Sequence, residues 1–280
     1  VATFNRFPAF MAVNPRTHSG VGRILAFFGA KGGVGTTMLA VHLATHLVRR
    51  HGKKTLLIDH KHQLGHVALY LGAKDAPYSF DELLRNADRL DSELLNGFVI
   101  RHRSGLDIIA SPEIAGISQE AKSGDLERVM DFLRREYDYV LIDSSVEYRE
   151  SKKSLIDEAD EIYIVSTPDV AALRDLARLV ENLSLDEPAT SKLRIVVNRS
   201  TATDSITPDQ IEKVVRFPIS VTVPNNYFEL QRAINDGEPI PPQRRSEFNQ
   251  RLTRWANQIV HGMSPAEPPL PRKGLLSFLR

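Results

Sequence analysis

Seven residues, Lys31-Gly32-Gly33-Val34-Gly35-Thr36-Thr37, combine a cation, three glycines and two hydroxyls in an order suited to holding a phosphate. Successive backbone N–H groups in a glycine-rich turn can point at one anion, and a helix that starts at the turn adds its partial positive charge. Thr37 stands where a phosphate-binding loop places the hydroxyl that ligates Mg²⁺. Against the pattern G-x-x-x-x-G-K-[ST] there are two departures: Ala30 replaces the first glycine and Thr36 replaces the lysine. The expected contacts with a nucleotide run through Lys31, Gly32, Gly33, Val34, Gly35, Thr36, Thr37 and Met38. Binding is therefore the expectation, and hydrolysis is the open question.

The elements around the loop have the right character to position it. Ile24 to Phe28 is a short apolar run that reads as a buried strand, and Thr37 to Val48 has helical periodicity. Further along, apolar runs alternate with helical segments, the pattern of βαβ units around a parallel sheet. Strands are expected at 106–110, 139–143, 161–165, 193–197 and 219–223, and helices at 125–137, 170–183, 208–215, 227–236 and 248–261. In such sheets ligands sit at the carboxyl ends of the strands, and Lys31, Asp59, Asp143 and Asn198 all fall at or just past predicted strand ends. The fold class is α/β, a mostly parallel sheet flanked by helices.

These motifs together resemble the ParA/MinD ATPases, which carry a deviant Walker P-loop with an early lysine. Lys54-Thr55-Leu56-Leu57-Ile58-Asp59 is similar to that family's second strand, Tyr137 to Asp143 to its Walker B strand, and Ile195-Val196-Val197-Asn198-Arg199 to the strand whose end contacts adenine. The resemblance spans roughly residues 23 to 262 and implies ATP or ADP with Mg²⁺ as ligands. It also implies a homodimer in which Lys31 reaches the partner's nucleotide, adenine contacts from Asn198, Arg199 and Pro224, and a magnesium site built on Thr37, Asp59 and Asp143. Within the family, Gln63 to Gly72 and Gly105 to Glu113 resemble the CpaE/TadZ branch of Flp (tad) pilus assembly proteins. That likeness implies a spatial organiser for pilus or secretion machinery, cytoplasmic and recruited to the pole or inner membrane. Members of the branch carry an upstream receiver-like domain; only residues 1–22 precede the first strand here, and absence and removal of such a domain both stay open. The wider family supplies the alternative, a partitioning or division-site ATPase that cycles on DNA or membrane.

Asp59 and Asp143 each have two readings. Aspartates at strand ends often cap a following helix; beside a phosphate loop they accept hydrogen bonds from waters on Mg²⁺. Relatives end the second strand Asp-x-Asp, and the second carboxylate positions the attacking water. Here the chain reads Asp59-His60-Lys61, so a cation stands in that place. One reading makes Lys61 a phosphate contact that compensates for Thr36; the other makes it an ion-pair partner of Asp59 or Asp143, or a solvent-facing side chain. Either way, slow hydrolysis at most is expected. The Ser144 to Tyr148 loop lacks the family's Asp-x-Pro-Pro prolines, which implies weaker coupling to a γ-phosphate. His60 and His62 could share a strand face and His62 and His66 have the i,i+4 spacing of a helical metal pair, but the two geometries conflict; polar surface is the default reading, with partner contact ahead of metal.

Composition narrows the rest. With 280 residues and 42% hydrophobic content the chain can bury a full core, read here as one domain over 23–262 with an N-terminal extension over 1–22. A net charge of +1 gives no overall pull toward nucleic acid, so that partner is not favoured. The absence of cysteine excludes disulfides and thiolate metal sites. Residues 263–280 form a Pro-rich linker ending in Arg272-Lys273-Gly274-Leu275-Leu276-Ser277-Phe278-Leu279-Arg280, a short apolar patch between basic residues. It reads either as a free end or as a weak membrane or partner contact that two copies in a dimer would strengthen by avidity. For the contact reading, deletion of residues 272–280 should abolish co-sedimentation with anionic liposomes; sedimentation unchanged by the deletion would remove it.

Overall fold

The computed structural model describes residues 21–61, 65–73, 78–111, 124–144 and 155–262. Eight strands form one sheet: β1 (Arg23–Gly29), β2 (Thr55–His60), β3 (Ile100–Arg101), β4 (Asp107–Ile109), β5 (Tyr139–Ser144), β6 (Glu161–Ser166), β7 (Leu193–Ser200) and β8 (Ile219–Pro224). Their order is β3-β4-β2-β5-β1-β6-β7-β8. All neighbours are parallel except β3 and β4, so the expected mostly parallel sheet is what the chain builds.

The helices are α1 (Thr36–His51), α2 (Val67–Tyr70), α3 (Phe80–Arg85), α4 (Ser92–Phe98), α5 (Asp125–Glu136), α6 (Val170–Leu183), α7 (Glu187–Lys192), α8 (Pro208–Val215), α9 (Tyr227–Asn235) and α10 (Glu247–His261). They cover both faces because the central strands are apolar on both sides, as buried parallel strands must be. In β1, Ile24, Ala26 and Phe28 pack with α3, α4, α5, α6 and α8, while the alternate residues Leu25 and Phe27 pack with α1 and α10. On that second face Phe27 stacks on Tyr163 at 5.0 Å, and Trp255 of α10 meets Tyr163 edge-on at 5.1 Å.

Several expected elements appear with the bounds read from sequence, among them α6 and α8. The short elements β3, α2, α3, α4 and α7 were not expected. Two of those carried a readable start signal: Ser79 and Glu82 form a reciprocal capping box on α3, and the Asp91 side chain caps α4.

Buried histidines fasten α1 to its neighbours. His42 Nε2 accepts the Ile240 N–H at 3.1 Å, so its Nδ1 carries the proton and donates to the Met38 carbonyl at 2.8 Å. His46 Nδ1 lies 2.8 Å from the His42 carbonyl. Burial pushes both imidazoles down to about 4 from 6.5. They stay neutral in the fold while the unfolded chain protonates them near 6.5, so their contribution is complete above that pH and is lost as pH falls toward 4. The loss approaches about 3 kcal/mol per imidazole. His46→Leu should flatten the fall in melting temperature between pH 6.5 and 4; an unchanged pH profile would refute this assignment.

Candidate nucleotide-binding site

The turn between β1 and α1 is built to leave donors free. Gly35 is the N-cap of α1 with φ 94°, no side chain caps the helix, and the first turn holds no acidic residue. The first N–H groups of α1 are thus not satisfied by a side-chain cap. Lys31, Gly32 and Gly33 are exposed, and a Cβ added at Gly32 or Gly33 would meet nothing within 4 Å, so open space lies over the loop. Val34 and Met38 are buried and anchor the turn from below.

Asn198 braces this loop. It is 4% exposed; its Nδ2 donates to the Val34 carbonyl at 2.8 Å and its Oδ1 accepts the Arg199 N–H at 2.9 Å. Both ends of the amide are therefore occupied within the protein. Arg199 is exposed with φ 57°, and Pro224 ends β8 opposite Ser200 at the same edge of the sheet. A Cβ added at Gly35 would lie 2.4 Å from Asn198 Nδ2, so glycine is required there by contact as well as by its left-handed backbone.

Lys31 points toward the start of α6, with Nζ 3.8 Å from Asp169 Oδ1, and both side chains are more than a third exposed. Such a pair contributes little and leaves the ammonium able to move. Thr36 turns back toward β1: a Cβ on Gly29 would lie 2.7 Å from its Oγ1.

The centre of the site is a three-residue contact. Thr37 Oγ1 donates to Asp143 Oδ2 at 2.6 Å, and Lys61 Nζ donates to both, at 2.5 Å to the hydroxyl and 2.7 Å to the carboxylate. Thr37 brings the first turn of α1, Asp143 the end of β5, and Lys61 the residue after β2. Asp143 is fully buried, and its Oδ1 has no hydrogen-bond partner among the described residues. Asp59 sits beside Asp143 in strand register and is 2% exposed. Its Oδ2 accepts the Val67 N–H at 3.0 Å, so it caps the turn that begins α2. Burial first, and then the charge of Asp143, raise its carboxyl to about 6.

Of the readings of Lys61, the ion pair with Asp143 is the one present, and the same ammonium also touches the Thr37 hydroxyl. Thr37, Asp59 and Asp143 are brought together as the sequence implied, yet the position between the first and last is filled by the lysine. Oxygen donors of this type suit Mg²⁺ at about 2.0–2.1 Å, but the ammonium already takes both.

His60 and His66 are each engaged with other side chains. His60 meets Phe80 edge-on at 5.4 Å and lies 3.9 Å from Asp81, while His66 stacks on Tyr70. His60 is thus packed rather than the polar surface expected of it. Among the described residues no group of three or more His, Asp or Glu could hold a metal ion. His62, the 145–150 part of the loop after β5 and the tail 263–280 lie outside the described residues. Among those described, no helix is long and apolar enough to cross a membrane.

A profile of the AAA domain family, AAA_31, matches residues 22–195. The chain belongs to this family. Its relatives are of the ParA/MinD type, as the motifs implied. Among curated proteins it is 25% identical over 225 residues to the septum site-determining protein MinD of Synechocystis, covering 78% of this chain and 81% of that one. It is 22% identical over 271 residues to MinD of Thermotoga maritima, covering 93% and 97%. Among solved structures, a ParA family ATPase from Chlorobium tepidum superposes with a TM-score of 0.73 at 27% identity, covering 86% of this chain and 100% of that one. MinD of Pyrococcus horikoshii, solved with Mg-ADP, shares the fold with a TM-score of 0.71 at 20% identity, covering 88% and 100%.

The brace from Asn198 predicts coupling across the loop. Gly35→Ala should cost about 2 kcal/mol through its positive φ and the clash with the amide, and less in an Asn198→Ala background. Denaturant melts of the four-member cycle measure this; strictly additive costs would refute the brace.

Proposed function

We propose that this chain binds ATP or ADP at residues 31–38 and works as a dimeric positioning protein whose state, rather than its turnover, carries the signal. The observation that supports it best is the uncapped start of α1 under an open Gly32-Gly33 turn, with the Lys61 ammonium beside it. The backbone donors hold and orient phosphate oxygens without any side-chain rearrangement. Lys31, exposed and only loosely paired with Asp169, is free to reach a second copy's nucleotide across a dimer face. Asn198 holds the loop's shape, and Arg199 and Pro224 line the edge where a base would lie.

Slow hydrolysis follows from what stands at position 61. The relatives' motif has a carboxylate there to position water; here a cation is tied to Thr37 and Asp143. A scaffold needs no rapid cycle. The resemblance of Gln63 to Gly72 and Gly105 to Glu113 to the CpaE/TadZ branch supports pilus or secretion machinery as the partner, with recruitment to the pole or inner membrane. A second reading, a partitioning or division-site ATPase that cycles on DNA or membrane, is favoured by the relatives named MinD and ParA.

Phosphate release by the purified full chain should stay below about 1 per second, while ATP and ADP each raise its melting temperature. Lys31→Ala should block nucleotide-linked dimerisation seen by light scattering. Faster turnover together with salt-sensitive DNA binding would favour the second reading, and no heat or melting shift with millimolar nucleotide would overturn nucleotide binding itself.

A further inference from the structure

Lys61 is held where it is by more than its own side chain. The Ser111 hydroxyl donates to the Lys61 carbonyl at 2.6 Å, fixing the backbone just past β2. Gly65 then passes so close that a Cβ there would lie 2.2 Å from Asp59 Oδ2 and 2.3 Å from Ser111 Cβ. Only a glycine lets the chain close over this corner. The lysine side chain, 19% exposed, turns inward rather than to solvent, and ends on Thr37 Oγ1 and Asp143 Oδ2.

Those two oxygens are the ones a divalent ion would need, and an ammonium at 2.5 and 2.7 Å from them leaves no room for a second cation. An ammonium has three protons. Among the described residues two of them go to Thr37 and Asp143, and a third suits a phosphate oxygen arriving over the Gly32-Gly33 turn. The buried carboxylate of Asp143 supplies the counter-charge that a lysine in this position requires. Its Oδ1, and Asp59 Oδ1 beside it, have no hydrogen-bond partner among the described residues, so the pocket still offers bare oxygens to a cation once the lysine is taken away.

We propose that Lys61 is a tethered replacement for the divalent cation: the chain takes the polyphosphate of its nucleotide without Mg²⁺ and keeps Mg²⁺ off Thr37 and Asp143. This rests on the nucleotide-binding reading above and deepens it. It differs from simple charge compensation for Thr36, because the position filled is that of the metal and not that of the missing lysine. A monovalent cation that never leaves makes binding independent of free Mg²⁺. It also leaves the leaving phosphate less neutralised than a divalent ion would, consistent with slow turnover.

The test uses the full chain and ADP as probe, titrated calorimetrically in EDTA and in millimolar Mg²⁺. The wild type should bind with affinities within about threefold of each other in the two buffers. Lys61→Met should bind about tenfold or more weakly in EDTA and recover in Mg²⁺. A second arm needs no nucleotide: Mg²⁺ should leave the melting temperature of the wild type unchanged and raise that of Lys61→Met and Lys61→Asp, where the bare carboxylates become available. Wild-type binding that appears only with Mg²⁺, or Lys61→Met that binds equally well in EDTA, overturns the proposal. Absence of ADP binding in both buffers overturns the nucleotide reading instead, while the nucleotide-free melts still decide whether Lys61 keeps the metal out: a wild type stabilised by Mg²⁺ to the same extent as the variants overturns that too.

Discussion

The contact among Thr37, Asp143 and Lys61 ties together three parts of the chain that only the sheet could bring within reach. Asp143 is placed by its register against Phe27 of β1 and Asp59 of β2, Thr37 by the sharp turn that Gly35 permits, and Lys61 by the exit from β2. A buried carboxylate is costly without a cation; here the cation is part of the polypeptide. The Asp143 carboxylate therefore has its cation before any ligand arrives, which separates this site from a loop that waits for a metal to supply one.

This arrangement depends on ordinary packing at one remove. The strand order places β1 between β5 and β6, so the loop leaving β1 emerges at the crevice where open α/β sheets take their ligands. Beneath it, α1 is pinned by His42 to Met38 on its own turn and to Ile240 on the segment before α10. A displacement of α1 along its axis would break the bond to Ile240 as well as the Thr37 contact. The position of the phosphate loop is thus set from the rear of the domain as much as from its mouth.

The sheet and most of the long helices were legible in the sequence because buried parallel strands read as continuous apolar runs and amphipathic helices have a strong period. The short edge strand at Ile100–Arg101 and the helix Ser92–Phe98 were not, since a few residues carry no period to detect; Ser79, Glu82 and Asp91 announced two of the missed helices through their caps. At the site, residue types were readable and directions were not. The sequence put a lysine two residues after Asp59 but left open whether it faced phosphate, carboxylate or solvent. It placed Asn198 at a strand end but gave no sign that both ends of its amide would be used within the protein. Side-chain aim depends on contacts from distant segments, such as Ser111 on the Lys61 carbonyl, and no local pattern encodes them.

The aromatic group behind the sheet has an optical consequence. Trp255 is the chain's single tryptophan, 1% exposed, and lies against Tyr163 and Phe27 on the α10 side. Its emission reports whether helix and sheet remain docked, and because Phe27 belongs to the strand that feeds the phosphate loop, the molecule carries an intrinsic fluorophore wired to the root of that loop and shielded from solvent quenchers.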